Sequence, residues 1–170
     1  RIKDGHFQTP DGKRIKFVGT SLYYTACFPD STSAVLVASR LSSLGFNAVR
    51  FVGYDHPYWN QASILEPGNA SNALSAEQMK RLDWFVYQLK LRGIYIYLPV
   101  HSHWQPRPGD GIAKWDTVPI ALPYIEPDFR PVHKRIVRML MEHINPYTGV
   151  AWKDEPALAI MDLTYESSLT

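Results

Sequence analysis

Four polar side chains stand where apolar runs end: Arg50 in FNAVRFV, His101 and His103 in YLPVHSHW, and Glu166 in MDLTYESSLT. An arginine set into an apolar strand either snorkels to the strand end or holds an anion, because a buried guanidinium requires a carboxylate or bidentate partner. His101 and His103 are spaced to leave a strand on the same side. Such a pair can bind zinc, but no matching third ligand is evident; hydrogen bonding to hydroxyl or carboxylate groups and a structural role stay open beside it. Glu166 closes the apolar run from Ala157 to Leu163. A carboxylate is costly in such surroundings, so it calls for either an ion-pair partner or a chemical task. Asp162 and Thr164 share its parity and read as a structural polar layer beneath it.

Aromatic residues gather in the loops beyond the same runs: Tyr23, Tyr24 and Phe28, then Tyr54, Tyr58 and Trp59, then Trp104 and Trp115. The chain has ten Tyr and five Trp, enough for the loops to stack flat ligands or simply to pack on themselves.

The elements that must position these residues alternate along the chain. GHFQTPDGKRIKFVGTSL carries a hairpin signal at Pro10-Asp11-Gly12, with a first buried strand expected over Ile15–Val18. Asp30 to Ser33 offer helix caps, Val35, Leu36, Ala38 and Leu41 form a helical stripe, and Gly45 closes it. Phe46–Val52 is the second strand. Ser75 and Gln78 suggest a capping box, with Leu74 and Met79 as a hydrophobic staple. That helix runs to Arg92, Gly93 takes the position after it, and Ile94–Val100 is the third strand. Asp128 is the expected cap of a third helix, which presents Val132, Ile136, Leu140 and His143 on one face; Pro131 fits its first turn. The NPYTG turn ends it, and Ala157–Leu163 is the fourth strand.

This β-α-β-α-β-α-β order, with short helix-to-strand turns, implies parallel strands joined by helical crossovers. The strand-to-helix loops are the long ones, and they carry the aromatics. That asymmetry puts the function at the C-terminal ends of the strands.

Composition narrows the classes. A net charge of +2 without a dense basic run leaves no nucleic-acid footprint. No apolar run approaches the roughly 20 residues of a membrane helix. One cysteine, Cys27, excludes an internal disulfide. The first residue is Arg1 rather than Met, as in a processed or trimmed chain, and the sequon Asn69-Ala70-Ser71 is compatible with secretion; a secreted or periplasmic location is expected over a cytoplasmic one.

The segments FVGTSLYY, LGFNAVRF, RGIYIYLPVH and INPYTGVAWKDEPALAIMDLTYESSL together resemble the N-terminal half of clan A retaining glycoside hydrolases of the cellulase and mannanase type. The last segment is the most specific, because helix end, NPYTG turn, DEPALA and strand follow in the family's order. The resemblance implies an α/β fold of the (β/α)8 barrel type, of which residues 1–170 hold the first four strands and three helices. It implies hydrolysis of O-glycosidic bonds in a β-linked polysaccharide, with Glu166 as general acid/base. Arg50 matches the arginine that orients the nucleophile, and His101 the histidine at the third strand end. His103, Trp104, Trp59, Tyr24 and Tyr165 complete the expected substrate contacts; Tyr165 stands where the family carries Asn. The family's nucleophile comes from the seventh strand, and Asp55 is the one substitute within this chain to weigh. No metal or other cofactor is implied. The expected partners are an oligo- or polysaccharide and either the remaining half of a barrel or a second copy of the chain. A non-catalytic half-barrel that binds sugars on its loop aromatics, and a metal-dependent hydrolase using His101 and His103, are the competing readings.

Overall fold

The computed structural model describes residues 2–9, 11–56, 63–112 and 127–163. Two short antiparallel strands, β1 (Ile2–Lys3) and β2 (His6–Phe7), come first. They are joined through Asp4 and Gly5, both at positive φ (51° and 72°), the geometry of a tight hairpin turn. The segment 8–14 closes a second small loop through the Gln8–Arg14 bridge, and Thr9 accepts from and donates to Lys13 there. Pro10 lies outside the described residues.

The main sheet holds β3 (Gly19–Tyr23), β4 (Ala48–Val52), β5 (Tyr95–Pro99) and β6 (Leu158–Asp162), parallel and in sequential order. Helix α1 (Ser31–Ser43) crosses from β3 to β4, α2 (Ala76–Lys90) from β4 to β5, and α3 (Phe129–Glu142) from β5 to β6. The first parallel strand is therefore Gly19–Tyr23 rather than Ile15–Val18. The Asn47 side chain clamps the run before it: its Oδ1 accepts from Val18 N, and its Nδ2 donates to the Lys16 carbonyl, 2.7 and 2.9 Å.

Strand alternation sorts the side chains. Val49 and Phe51 of β4 and Ile96 and Leu98 of β5 are almost wholly buried against Leu82, Phe85 and Leu89 of α2 and Ile136 and Leu140 of α3. Arg50 and Tyr97 point to the opposite, inner face, where they meet. In β6 the register shifts: Leu158 pairs with Ile96, but Ile160 pairs with Tyr97. One residue bulges out, so Leu158 packs on the core while Ile160 and Asp162 share the inner face with Tyr97.

Helix ends depart from the sequence expectation in two places. Asp30 caps α1 as expected, accepting from Thr32 N and Ser33 N at 2.9 Å. Ser75 forms no capping box, because its own N–H already donates to the Ile64 carbonyl and Glu66 accepts from Ala76 N instead. Asp128 sits in helical backbone conformation and makes no side-chain cap bond. The NPYTG–DEPALA stretch proves to be a clamp. Trp152 Nε1 donates to Asp83 at 2.8 Å, Asn145 donates to the Asp83 carbonyl at 3.1 Å, and Glu155 pairs with Lys90 at 2.8 Å. These contacts fix the middle and end of α2 against the entrance to β6.

Candidate functional site

Arg50 and Asp162 meet across β5 on the inner face. Arg50 Nη2 lies 3.6 Å from Asp162 Oδ2. Between them, the Arg50 guanidinium sits 4.7 Å from the centre of the Tyr97 ring, and the Tyr97 hydroxyl donates to Asp162. The Tyr97 phenol is held above its usual range, first by that bond to the carboxylate and then by burial. An arginine in an apolar strand is thus held by an anion and an aromatic face, one of the two alternatives its position in the sequence left open. The partner is Asp162, in the polar layer that the sequence placed beneath Glu166. Glu166 follows four residues later; it, Tyr165, Trp59, Tyr58 and Trp115 lie outside the described residues.

Beyond the tips of β3 to β5 three rings converge. Tyr24 packs edge-on to His56 (5.6 Å) and His103 (5.4 Å), and the two imidazoles stand 5.9 Å apart. Tyr24 has φ 51°, a left-handed conformation rare for a non-glycine residue and concentrated at functional sites. Gly53 makes that geometry possible. A Cβ there would come within 2.5 Å of the Tyr24 ring, and its own φ is 69°.

The loop carrying His103 is anchored from below. Asp55, fully buried, accepts from Ser102 N (2.9 Å) and His103 N (2.8 Å). Ser102 Oγ in turn accepts from Gly53 N at 2.6 Å. Burial raises the Asp55 carboxyl above its usual value, against the pull of those two amides. Both oxygens are spent on the backbone, so Asp55 serves as a loop anchor and not as a nucleophile.

The two sequence histidines part company. β5 ends at Pro99, and 101–103 form a bend rather than extended strand, so the two-residue alternation does not carry on to them. His103 joins the rim rings. His101 turns to the helical side and stacks on His133 of α3, ring centres 3.6 Å apart, away from the inner face that carries Arg50. Burial, and His133 after it, push His101 down to about 3; burial takes His133 to about 4. Both rings are therefore neutral at pH 7. Trp104, expected at the ligand face, is buried between His101, His133 and Phe129, and its Nε1 donates to Ser71 Oγ at 2.9 Å. Its faces are taken up by packing. Among the described residues no group of three or more His, Cys, Asp or Glu is placed to hold a metal, and no helix is long and apolar enough to cross a membrane.

Two features of this site were not read from the sequence. His56 carried no signal beyond its place in a loop after a strand, and the Gly53–Tyr24 contact depends on a backbone turn that residue types alone do not reveal.

Comparison with solved structures places this geometry in a known architecture. The chain is similar to the endo-β-1,4-mannanase of Thermotoga petrophila, with TM-score 0.70 and 21% identity over 92% of this chain and 36% of that one. It is also similar to the endo-1,4-β-mannanase of Rhizomucor miehei (TM-score 0.68, 20% identity, 93% and 46% covered). A family 5 mannosidase from the same fungus matches with TM-score 0.68 and 14% identity over 94% and 46%. No protein-family model matches the sequence, and no curated protein matches it. The chain thus has the fold of part of a (β/α)8 barrel and spans less than half the length of these enzymes.

Proposed function

We propose that these residues form the acid/base side of a retaining glycoside hydrolase barrel acting on a β-linked polysaccharide. The observation that carries this is the Arg50–Tyr97–Asp162 cluster. It fixes an arginine on the inner face of the sheet and ties it to Asp162, the last residue of β6, from which the chain runs on to Glu166. Barrel enzymes assemble their sites at that end. In this reading Glu166 protonates the leaving oxygen and later activates water. Tyr24, His56 and His103 form the wall against which a sugar ring rests, and Trp59 and Tyr165 are further contacts that this reading assigns to the substrate.

A retaining mechanism requires a second carboxyl group about 5–5.5 Å from the first. Among the described residues, Asp55 is committed to two amides and Asp162 to Arg50 and Tyr97. As the resemblance to retaining enzymes implies, this reading draws the nucleophile from a further strand that completes the barrel, with Arg50 orienting it. β3 and β6 are each paired on one side only among the described residues, which are the two edges such a partner half, or a second copy, would join.

The 170-residue chain, labelled with ¹⁵N and titrated with β-1,4-mannohexaose, tests the binding half of this reading. Amide shifts at Tyr24, Gly53 and His103 are expected. Shifts confined to residues away from the strand ends would overturn it, and would leave no role for the rim rings.

A further inference from the structure

We propose that the cleft between the start of α1 and the outer face of α2 is a second binding site, built on Trp84 and Tyr147, for a neutral sugar ring. The cleft encloses about 400 Å³, within the ~300–1,000 Å³ of ordinary ligand pockets. Two of its walls are aromatic. Trp84 and Tyr147 meet at 66° with ring centres 5.0 Å apart, which makes an open corner. A pyranose laid on one face would touch the other ring with its edge.

Both walls are held in place before any ligand arrives. Trp84 Nε1 donates to the Ser31 carbonyl at 3.1 Å. Tyr87 lies nearly parallel behind Tyr147, at 23° and 6.0 Å between centres. The Tyr147 backbone is fixed through Asn145, whose Oδ1 accepts from Tyr147 N at 2.9 Å and whose Nδ2 is tied to Asp83. Tyr147 nonetheless remains 37% exposed. A rigid, open aromatic surface loses little freedom on binding.

The polar rim sets the class of ligand. Asp30, Glu77, Lys80 and Arg81 line the cleft, two carboxylates against two cations. Arg81 Nε is paired with Glu77 at 2.8 Å, and Asp30 is occupied by the first amides of α1. An anion would meet the carboxylates, and a quaternary ammonium group, which suits an aromatic corner, would meet Lys80 and Arg81. A purely apolar group would strip water from four charges. A neutral ring with one apolar face and hydroxyls around its edge satisfies both the corner and the rim. The class follows from the cleft's own chemistry; that the ring belongs to the same polysaccharide as at the strand ends rests on the proposed function.

The Trp84 indole N–H is a built-in reporter. In the ¹⁵N-labelled chain it should shift on titration with β-1,4-mannohexaose or cellohexaose. Tyr147→Ala, at an exposed loop position, should weaken that response about tenfold or more, and Tyr147→Phe should keep it. Tyr24→Ala should leave it unchanged, which separates this site from the strand ends; a Trp84 response without one at Tyr24 overturns the proposed function and not this site. The proposal fails if neither hexaose moves the Trp84 signal, if Tyr147→Ala binds as the parent does, or if only choline or inorganic phosphate produces the shift.

Discussion

Asp162 Oδ2 receives both the Tyr97 hydroxyl and, at 3.6 Å, the Arg50 guanidinium, so one carboxylate on β6 ties together three neighbouring strands. The contact exists because a bulge in β6 turns Asp162 to the inner face. It is partly open to solvent, so its weight lies in orientation more than in stability.

Asp162→Asn should therefore lower stability by no more than about 1 kcal/mol. It should also let Tyr97 ionise at lower pH, because the negative acceptor that holds its proton is gone. The difference between tyrosinate absorbance titrations of parent and variant isolates this residue. Superimposable titrations would show that Tyr97 and Asp162 are not coupled.

Asp55→Ala leaves the Ser102 and His103 amides without their acceptor in a buried setting. Hydrogen bonds to a charged group are worth about 1.5–3 kcal/mol each, so a loss of roughly 3 kcal/mol is expected. Asp55→Asn, which keeps one acceptor, should lose less. Urea unfolding midpoints in that order, with broadened His103 signals in the alanine variant, are the check; equal midpoints for all three proteins would remove the anchor.

The buried imidazoles make the fold sensitive to mild acid. His101 and His133 take up protons near 6.5 when unfolded but only at about 3 and about 4 when folded. Their contribution is complete above pH 6.5 and shrinks as pH falls, by about 1.4 kcal/mol per unit for each, until the folded values are reached. His101→Phe keeps a ring in place and removes its titration. Between about pH 7.5 and 5 the parent should lose about 1–2 kcal/mol more than this variant, measured by urea unfolding. Equal losses would mean that His101 is protonated without penalty in the fold.

Much of the barrel was legible because its signals are local. The apolar strands, the helix stripes and the glycines after α1 and α2 each follow from one stretch of chain. Gly45 and Gly93 do take positive φ, at 83° and 70°. Arg50 was legible as a charge that either snorkels or holds an anion, and which of the two it does depends on Asp162 in a distant strand. What escaped depends on contacts between distant segments. The run Ile15–Val18 cannot be told from a strand until Asn47 is seen to clamp Lys16 and Val18. His101 and His103 were expected on one side because strand alternation was extended past Pro99, where Asp55 holds the loop in a bend. Trp104 looked like a sugar platform in sequence, and only Ser71, His133 and Phe129 make it core.

The most direct test of the central claim is the hydrolysis of β-1,4-manno-oligosaccharides by the protein read from the gene's whole frame, parent against Glu166→Gln. Proton NMR gives both the rate and the configuration of the newly formed reducing end. The account predicts that the β configuration is retained and that the variant loses about 10²–10⁴ in rate, the usual contribution of a positioned general acid/base. An inverted product, or a variant that works within about tenfold of the parent, would contradict it.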